Sequence, residues 1–197
     1  MMFDGISRPR TIALAVVFSP ALACAQDRTP QLREPHIERN ICPFECCQYG
    51  EWFAEGRVNV YPNPGSRAVI ARIDSGQKFL ADSGNMHFSQ LGKVRLRSEL
   101  TLVNAENTDS VRAPSGAVIT LLSYTGEGYF NVWYRGRTYS AFVFWKDPDV
   151  QSSSTNEPGV LIRQSRNVWW VHVRLPNGLS GWIRMDEADV GGHDACA

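Results

Sequence analysis

Residues 93–103 (KVRLRSELTLV) place Val94, Leu96, Leu100 and Leu102 on one side with Ser98, and Lys93, Arg95, Arg97 and Glu99 on the other. A period of two is the signature of a half-buried strand or a bent strand pair, and these charges read as its solvated side. Short alternating runs of this kind recur from Trp52 onward. Val58 and Val60 alternate with polar neighbours, as do Val69, Ala71 and Ile73. Residues 118–124 (VITLLSY) and 129–134 (YFNVWY) flank Gly126-Glu127-Gly128, a glycine-flanked hairpin turn. Arg135-Gly136 turns the chain again, towards a third strand within 138–145. Residues 168–175 and 180–184 flank Pro176-Asn177-Gly178, where Asn and Gly tolerate the positive φ of a tight turn. No ten-residue window carries a helical stripe, and 185–190 adds at most one turn of helix. The chain reads as all-β, of the small-barrel or sandwich kind.

The N-terminus sets the compartment. Arg8 and Arg10 precede an apolar run over 11–18, Ser19-Pro20 breaks it, and Ala23-Cys24-Ala25 has the small-x-small pattern of a signal-peptidase site. Residues 1–25 therefore read as a signal peptide. The run is too short to span a bilayer, and no later stretch is longer. The Leu22-Ala23-Cys24 triplet is a minority alternative, lipidation at Cys24. The expected location is periplasmic or secreted.

That location decides how the cysteines read. Cys42, Cys46, Cys47 and Cys196 remain after cleavage, an even number in an exported chain, which points to two disulfides. Bridging the vicinal Cys46 and Cys47 to each other would demand unusual geometry. The expected pattern joins Cys42 to one of that pair and Cys196 to the other. A metal site or a reactive thiol are the alternatives, and the C-x3-C-C spacing offers no C-x2-C pair to favour either. No metal or cofactor is expected.

The chain carries 20 Lys+Arg and 20 Asp+Glu without a basic cluster. It lacks the electrostatic footprint of a nucleic-acid or anionic-membrane binder. Residues 26–49 are polar and proline-interrupted before the cysteines and read as an exposed arm. Residues 146–159 (KDPDVQSSSTNEPG) read as a mobile loop, and 191–197 as a tail.

Two stretches carry a family resemblance. Arg57-Val58-Asn59-Val60-Tyr61 with Gly65-Ser66, then Val69-Ile70 and residues 73–79 (IDSGQKF), resembles the opening half of a bacterial SH3-like (SH3b) domain. Trp170-Val171-His172-Val173, then Gly178 and Gly181-Trp182-Ile183, resembles the closing half of the same family. The first region has Ser83 to His87 and Gly92-Lys93-Val94 where the family has its Gly-Trp hairpin, and the second lacks the Asn-containing opening strand. The resemblance implies two diverged barrels in tandem, at 50–106 and 111–190, stapled by the cysteine-bearing arm and tail. A single larger β domain built from both halves is the alternative.

No Gly-x-Ser-x-Gly elbow, His-Glu-x-x-His signature or phosphate-cradling loop is present. A thiol hydrolase would need a free Cys beside one of His36, His87, His172 or His193; Cys196 with His193 is the nearest such pair in sequence. Carboxylates are scattered, at Glu127, Asp186, Glu187 and Asp189 among others. Aromatics are the enriched resource, with six Trp, six Tyr and nine Phe. Residues 129–134 put Phe130, Val132 and Tyr134 on one face, and Tyr129 and Trp133 on the other. Tyr129, Trp133 and Trp170 are the candidate ligand-binding residues, lining a groove where a peptide or sugar stacks. The SH3b resemblance implies a non-enzymatic envelope module whose partner is peptidoglycan. A protein–protein module, acting as an envelope inhibitor or assembly factor, is the second reading, and an exported thiol hydrolase the third.

Overall fold

The computed structural model describes residues 30, 32–146 and 159–196. The signal-peptide reading over 1–25, Cys24, and the core of the 146–159 loop lie outside these residues. In chain order the strands are β1 (His36–Arg39), β2 (Gly50–Ala54), β3 (Val58–Val60), β4 (Ala71–Ile73), β5 (Lys78–Gln90), β6 (Gly92–Leu96), β7 (Leu100–Val103), β8 (Ser110–Ala113), β9 (Val118–Gly126), β10 (Tyr129–Tyr134), β11 (Arg137–Phe142), β12 (Trp145–Lys146), β13 (Gly159–Arg163), β14 (Arg166–Arg174), β15 (Ser180–Arg184) and β16 (Val190–Gly191). There is no helix among the described residues, and the chain is all-β. The expected turn of helix over 185–190 is a turn leading into β16.

The first sheet runs β15-β14-β5-β2-β16, with β1 also paired to β5. Its centre is the 13-residue β5, which pairs with β14 along one edge, from Leu80↔Arg174 to Gln90↔Arg166. Its other edge takes β2 from Lys78 to Ala81, and β1 from Asn85 to Phe88. Tyr61 and Trp182 exchange backbone hydrogen bonds of 2.8 and 2.7 Å, which joins β15 to the β3–β4 hairpin and curls the sheet around its core. Trp52, Val60, Ile73, Phe88, Val171 and Ile183 fill that core.

The second sheet runs β12-β13-β6-β9-β10-β11-β7-β8. Val94, Leu102, Ile119, Val132, Tyr139 and Val143 form its core. The alternation read at 93–103 holds: Val94, Leu96 and Leu102 are buried, Leu100 is half-buried, and Arg95, Arg97 and Glu99 are exposed. Of the two readings, it is the bent pair, β6 then β7.

These two cores do not divide the chain at 106–111, as the tandem expectation has it. β6 and β7, within 50–106, belong to the second sheet, while β14, β15 and β16, within 111–190, belong to the first. Residues 92–163 form an interruption between β5 and β14. β5 ends at Gln90, the new sheet starts at Gly92, where a Cβ would lie a tight 3.2 Å from Leu121 Cβ, and the returning β14 brings five apolar residues back to β5. β9 lies at the junction, because successive residues of a strand face opposite ways. Leu121 enters the second core and Leu122 the first.

Residues 30–49 are not a free arm. Cys42 bonds Cys47 and Cys46 bonds Cys196, with Cα–Cα distances of 5.5 and 5.7 Å. The pairing joins Cys42 to one member of the vicinal pair and Cys196 to the other, and it resolves which is which. Ile41 donates its amide to Gly84 O at 2.8 Å. Its own carbonyl accepts from the Tyr49 hydroxyl at 2.5 Å and the Trp169 indole at 3.1 Å. Burial pushes the Tyr49 hydroxyl up to about 12, so it stays a donor at any ordinary pH.

Candidate functional site

Two recesses flank the 30–49 segment. The larger, about 740 Å³, is a cleft between the two lobes. One wall is aromatic: Phe130 packs 5.0 Å from Tyr124 and 5.3 Å from Trp145, centroid to centroid. The facing wall is the polar turn into β14, with Ser165, Arg166 and Asn167. The Asn167 side chain donates to Ser165 Oγ at 3.0 Å, and Ser165 Oγ donates to Gln90 O at 3.3 Å, which ties the turn to the end of β5. Arg166 has no ion-pair partner among the described residues. Aromatic faces opposite one free cation and several hydroxyl and amide groups suit a ligand with an apolar body and hydrogen-bonding edges.

The smaller recess, about 490 Å³, lies on the outer face of the second sheet, walled by Pro30, Leu32 and Glu34. Trp133 lines it. Its ring is half-buried against the first core, and its indole donates to Pro30 O at 3.1 Å.

The three residues singled out from the sequence are not brought together. Tyr129 and Trp133 share the outer face of β10 but sit at opposite ends of it. Tyr129 is exposed and meets Phe142 at 5.2 Å, and Phe142 meets Phe144 at 4.3 Å. Trp170 is only 5% exposed. It lies under Tyr61, with ring centroids 5.6 Å apart, because strand pairing places it beside Arg184 and the Tyr61–Trp182 closure covers it. What remains uncovered of the indole lines a separate recess of about 300 Å³ with Tyr61, Arg67 and Glu187, away from Tyr129 and Trp133. Sequence reading missed Trp145, Tyr124 and Arg166, whose nearness depends on how the interrupting lobe sits against β14. Phe130, placed on the face of β10 opposite Tyr129 and Trp133, packs on the second core and also reaches the cleft.

His172 Nδ1 lies 2.8 Å from Asp82 Oδ1, and Arg174 Nε lies 3.0 Å from Asp82 Oδ2. Burial pushes the Asp82 carboxyl up, but the hydrogen bond and charge of His172, with Ser83 and Arg174, outweigh it and hold the group below the ordinary carboxylate value. Ser83 Oγ donates to Asp82 at 3.2 Å rather than facing the imidazole, so the dyad activates no hydroxyl. It sets the ring against Trp182, 5.2 Å away. His193 packs edge-on to Phe44 and Trp52, both at 5.6 Å. Cys46, Asp194 and Cys196 form a close donor group, yet its two sulfurs are joined in the disulfide and cannot serve a metal as thiolates.

Comparison with protein-family models, with curated proteins and with solved structures yields no match to this chain. The geometry itself defines a disulfide-stapled, two-lobed all-β protein with a cleft between its lobes. The disulfides fit an extracytoplasmic location, and no helix among the described residues is long and apolar enough to cross a membrane.

Proposed function

We propose that this chain is a non-enzymatic binding module of the bacterial envelope, periplasmic or secreted, that holds cell-wall peptide or glycan in the cleft between its lobes. The carrying observation is the cleft, with Tyr124, Phe130 and Trp145 facing Ser165, Arg166 and Asn167. Stacking on the rings supplies most of the contact area and the polar turn sets orientation. The SH3b resemblance supports the reading in a revised form. Its opening half (57–79), the β3–β4 hairpin and the start of β5, and its closing half (170–183), on β14 and β15, pack around one core and are bridged at Tyr61 and Trp182, as a single SH3-like barrel interrupted by the second lobe would require. The thiol-hydrolase alternative loses support, since Cys42, Cys46, Cys47 and Cys196 are all bonded to one another.

The test is co-sedimentation of purified protein with isolated sacculi. The wild type is expected in the pellet and a Trp145→Ala, Arg166→Ala double variant in the supernatant. Absence of the wild type from the pellet at micromolar protein rejects the reading.

A second reading is a protein–protein module. It is favoured by the contiguous exposed rings of Tyr129, Phe142 and Phe144, which are 44%, 43% and 46% exposed. Such a module would retain a protein partner on a column after peptidoglycan is digested away.

A further inference from the structure

The recess beneath Pro30 and Leu32 is built differently from the cleft. Strand register aligns Arg163 with Lys93, Lys93 with Thr120, and Thr120 with Trp133. Residues directly opposite in an antiparallel pair share a face, so these four form one rung across β13, β6, β9 and β10. At strand spacings of roughly 4.8 Å the rung is about 14 Å long. Arg135 stands at its Trp133 end. Arg135 and Gly136 have φ of 48° and 88°, the two-residue turn that follows the twist of a hairpin, and Pro30 packs on Gly136. Arg135 lies over the Tyr134 ring, 5.2 Å from its centroid, which fixes where its charge sits.

The charge of the groove is one-sided. Among the described residues lining it Glu34 is the one acid, and its carboxylate is held by Arg163 and by the Leu91 amide at 3.0 Å and also feels the Lys93 charge, which leaves three cations against one acid. Lys93 and Arg135 have no ion-pair partner among the described residues. Two uncompensated cations, a threonine hydroxyl and an indole therefore line a recess of about 490 Å³, within the roughly 300–1,000 Å³ of small-ligand sites.

We infer that this groove binds a carboxylate-bearing saccharide, with a sugar ring against Trp133, its hydroxyls on Thr120 and its acid groups on Lys93 and Arg135. A peptide strand is the poorer occupant. β6, β9 and β10 are interior strands whose backbone groups are paired on both edges, so no strand can be added there. What the rung offers is side-chain chemistry alone, and charge-assisted hydrogen bonds from a cation next to an aromatic face are what an acidic sugar uses. This site is separate from the cleft and stands or falls without it.

The experiment is calorimetric titration of the purified protein with three probes: a mannuronate tetrasaccharide, the neutral chitotetraose, and tetraglutamate. The expected result is saturable binding of the uronate alone, weakening as salt rises from about 50 to about 300 mM. Lys93→Ala with Arg135→Ala should weaken it by roughly tenfold or more. Trp133→Leu should weaken it as well, with an unchanged circular dichroism spectrum as the check on folding. Arg166→Ala in the cleft should leave uronate affinity intact, so failure of sacculus binding and failure of this groove read out separately. Equal affinity for chitotetraose or tetraglutamate, no heat from the uronate at millimolar concentration, or wild-type affinity in the Lys93→Ala, Arg135→Ala variant each overturns the proposal.

Discussion

The carboxylate of Glu38 accepts the backbone amide of Ser123 at 2.7 Å, across 85 residues of sequence. Its other oxygen faces the Asn131 side chain at 3.5 Å, and Asn131 in turn donates to Ser123 Oγ at 2.9 Å. A strand of the first lobe thereby reaches into the β9–β10 hairpin of the second. Burial raises the Glu38 pKa above 4.5, more than these hydrogen bonds lower it.

Protonated Glu38 is thus favoured by folding. Its contribution is fully present below the ordinary carboxylate value and is lost as pH rises through the raised one. Glu38→Gln removes the titrating charge and keeps an acceptor for Ser123. The melting temperature of Glu38→Gln relative to wild type should therefore climb between pH 4 and pH 7. A flat difference across that range would refute this. Glu38→Ala should cost about 1–3 kcal/mol at pH 4, because it strands a buried amide, and less at pH 7.

The histidines oppose this trend. Burial lowers His36, and burial together with the Arg39 charge lowers His87, whose Nε2 is buried without a partner. A depressed histidine resists protonation in the fold, so stability is lost as pH falls below the unfolded value of about 6.5. A His36→Gln, His87→Gln variant should lose less stability than wild type between pH 7 and pH 5, measured as urea midpoints.

Gly84 is a packing constraint rather than a turn residue. A Cβ there would fall on Trp169 Nε1 and the Tyr49 hydroxyl and lie 2.9 Å from Ile41 O. Gly84→Ala must push apart the two donors that hold the Ile41 carbonyl. A loss of roughly 1–3 kcal/mol in equilibrium unfolding is expected, the usual range for overpacking. Gly178→Ala meets nothing within 4 Å and is strained only by its φ of 84°, so it should cost less, about 1 kcal/mol.

The Cys46–Cys196 bond closes a loop of 150 residues. Cys46→Ser with Cys196→Ser should lower stability by about 2–5 kcal/mol. Thiol titration of the denatured, unreduced wild type should find none of the four cysteines free, and one reactive thiol would return the hydrolase reading to contention.

Much of the secondary structure was legible because its cause is local. The hairpins at 126–128, 135–136 and 176–178 announce themselves through glycines, and Gly126, Gly128, Gly136 and Gly178 all adopt positive φ. The strand at 93–103 could be read from alternation alone. Tyr129 was rightly placed on the outer face of β10, by parity. The ordering of 30–49 was not legible, since its polar residues find partners far along the chain: Glu34 with Arg163, Glu38 with Ser123, Ile41 with Trp169. Which sheet each segment joins was not legible for the same reason. Segments that resemble the two ends of one domain lie about 90 residues apart in sequence, and nothing local says that they pair with each other.

By itself the sequence determined an all-β chain with turns at defined places and an even set of cysteines to cross-link it, since period, turn chemistry and thiol number are properties of neighbouring residues. Only the tertiary structure decided that β14 returns to β5, that Trp170 is covered while Phe130 and Trp145 open onto a cleft, and that Lys93 and Arg135 stand unpaired beside Trp133. Which strands pair, and which faces remain uncovered once they have, depends on packing between segments distant in the chain, and no local rule contains it.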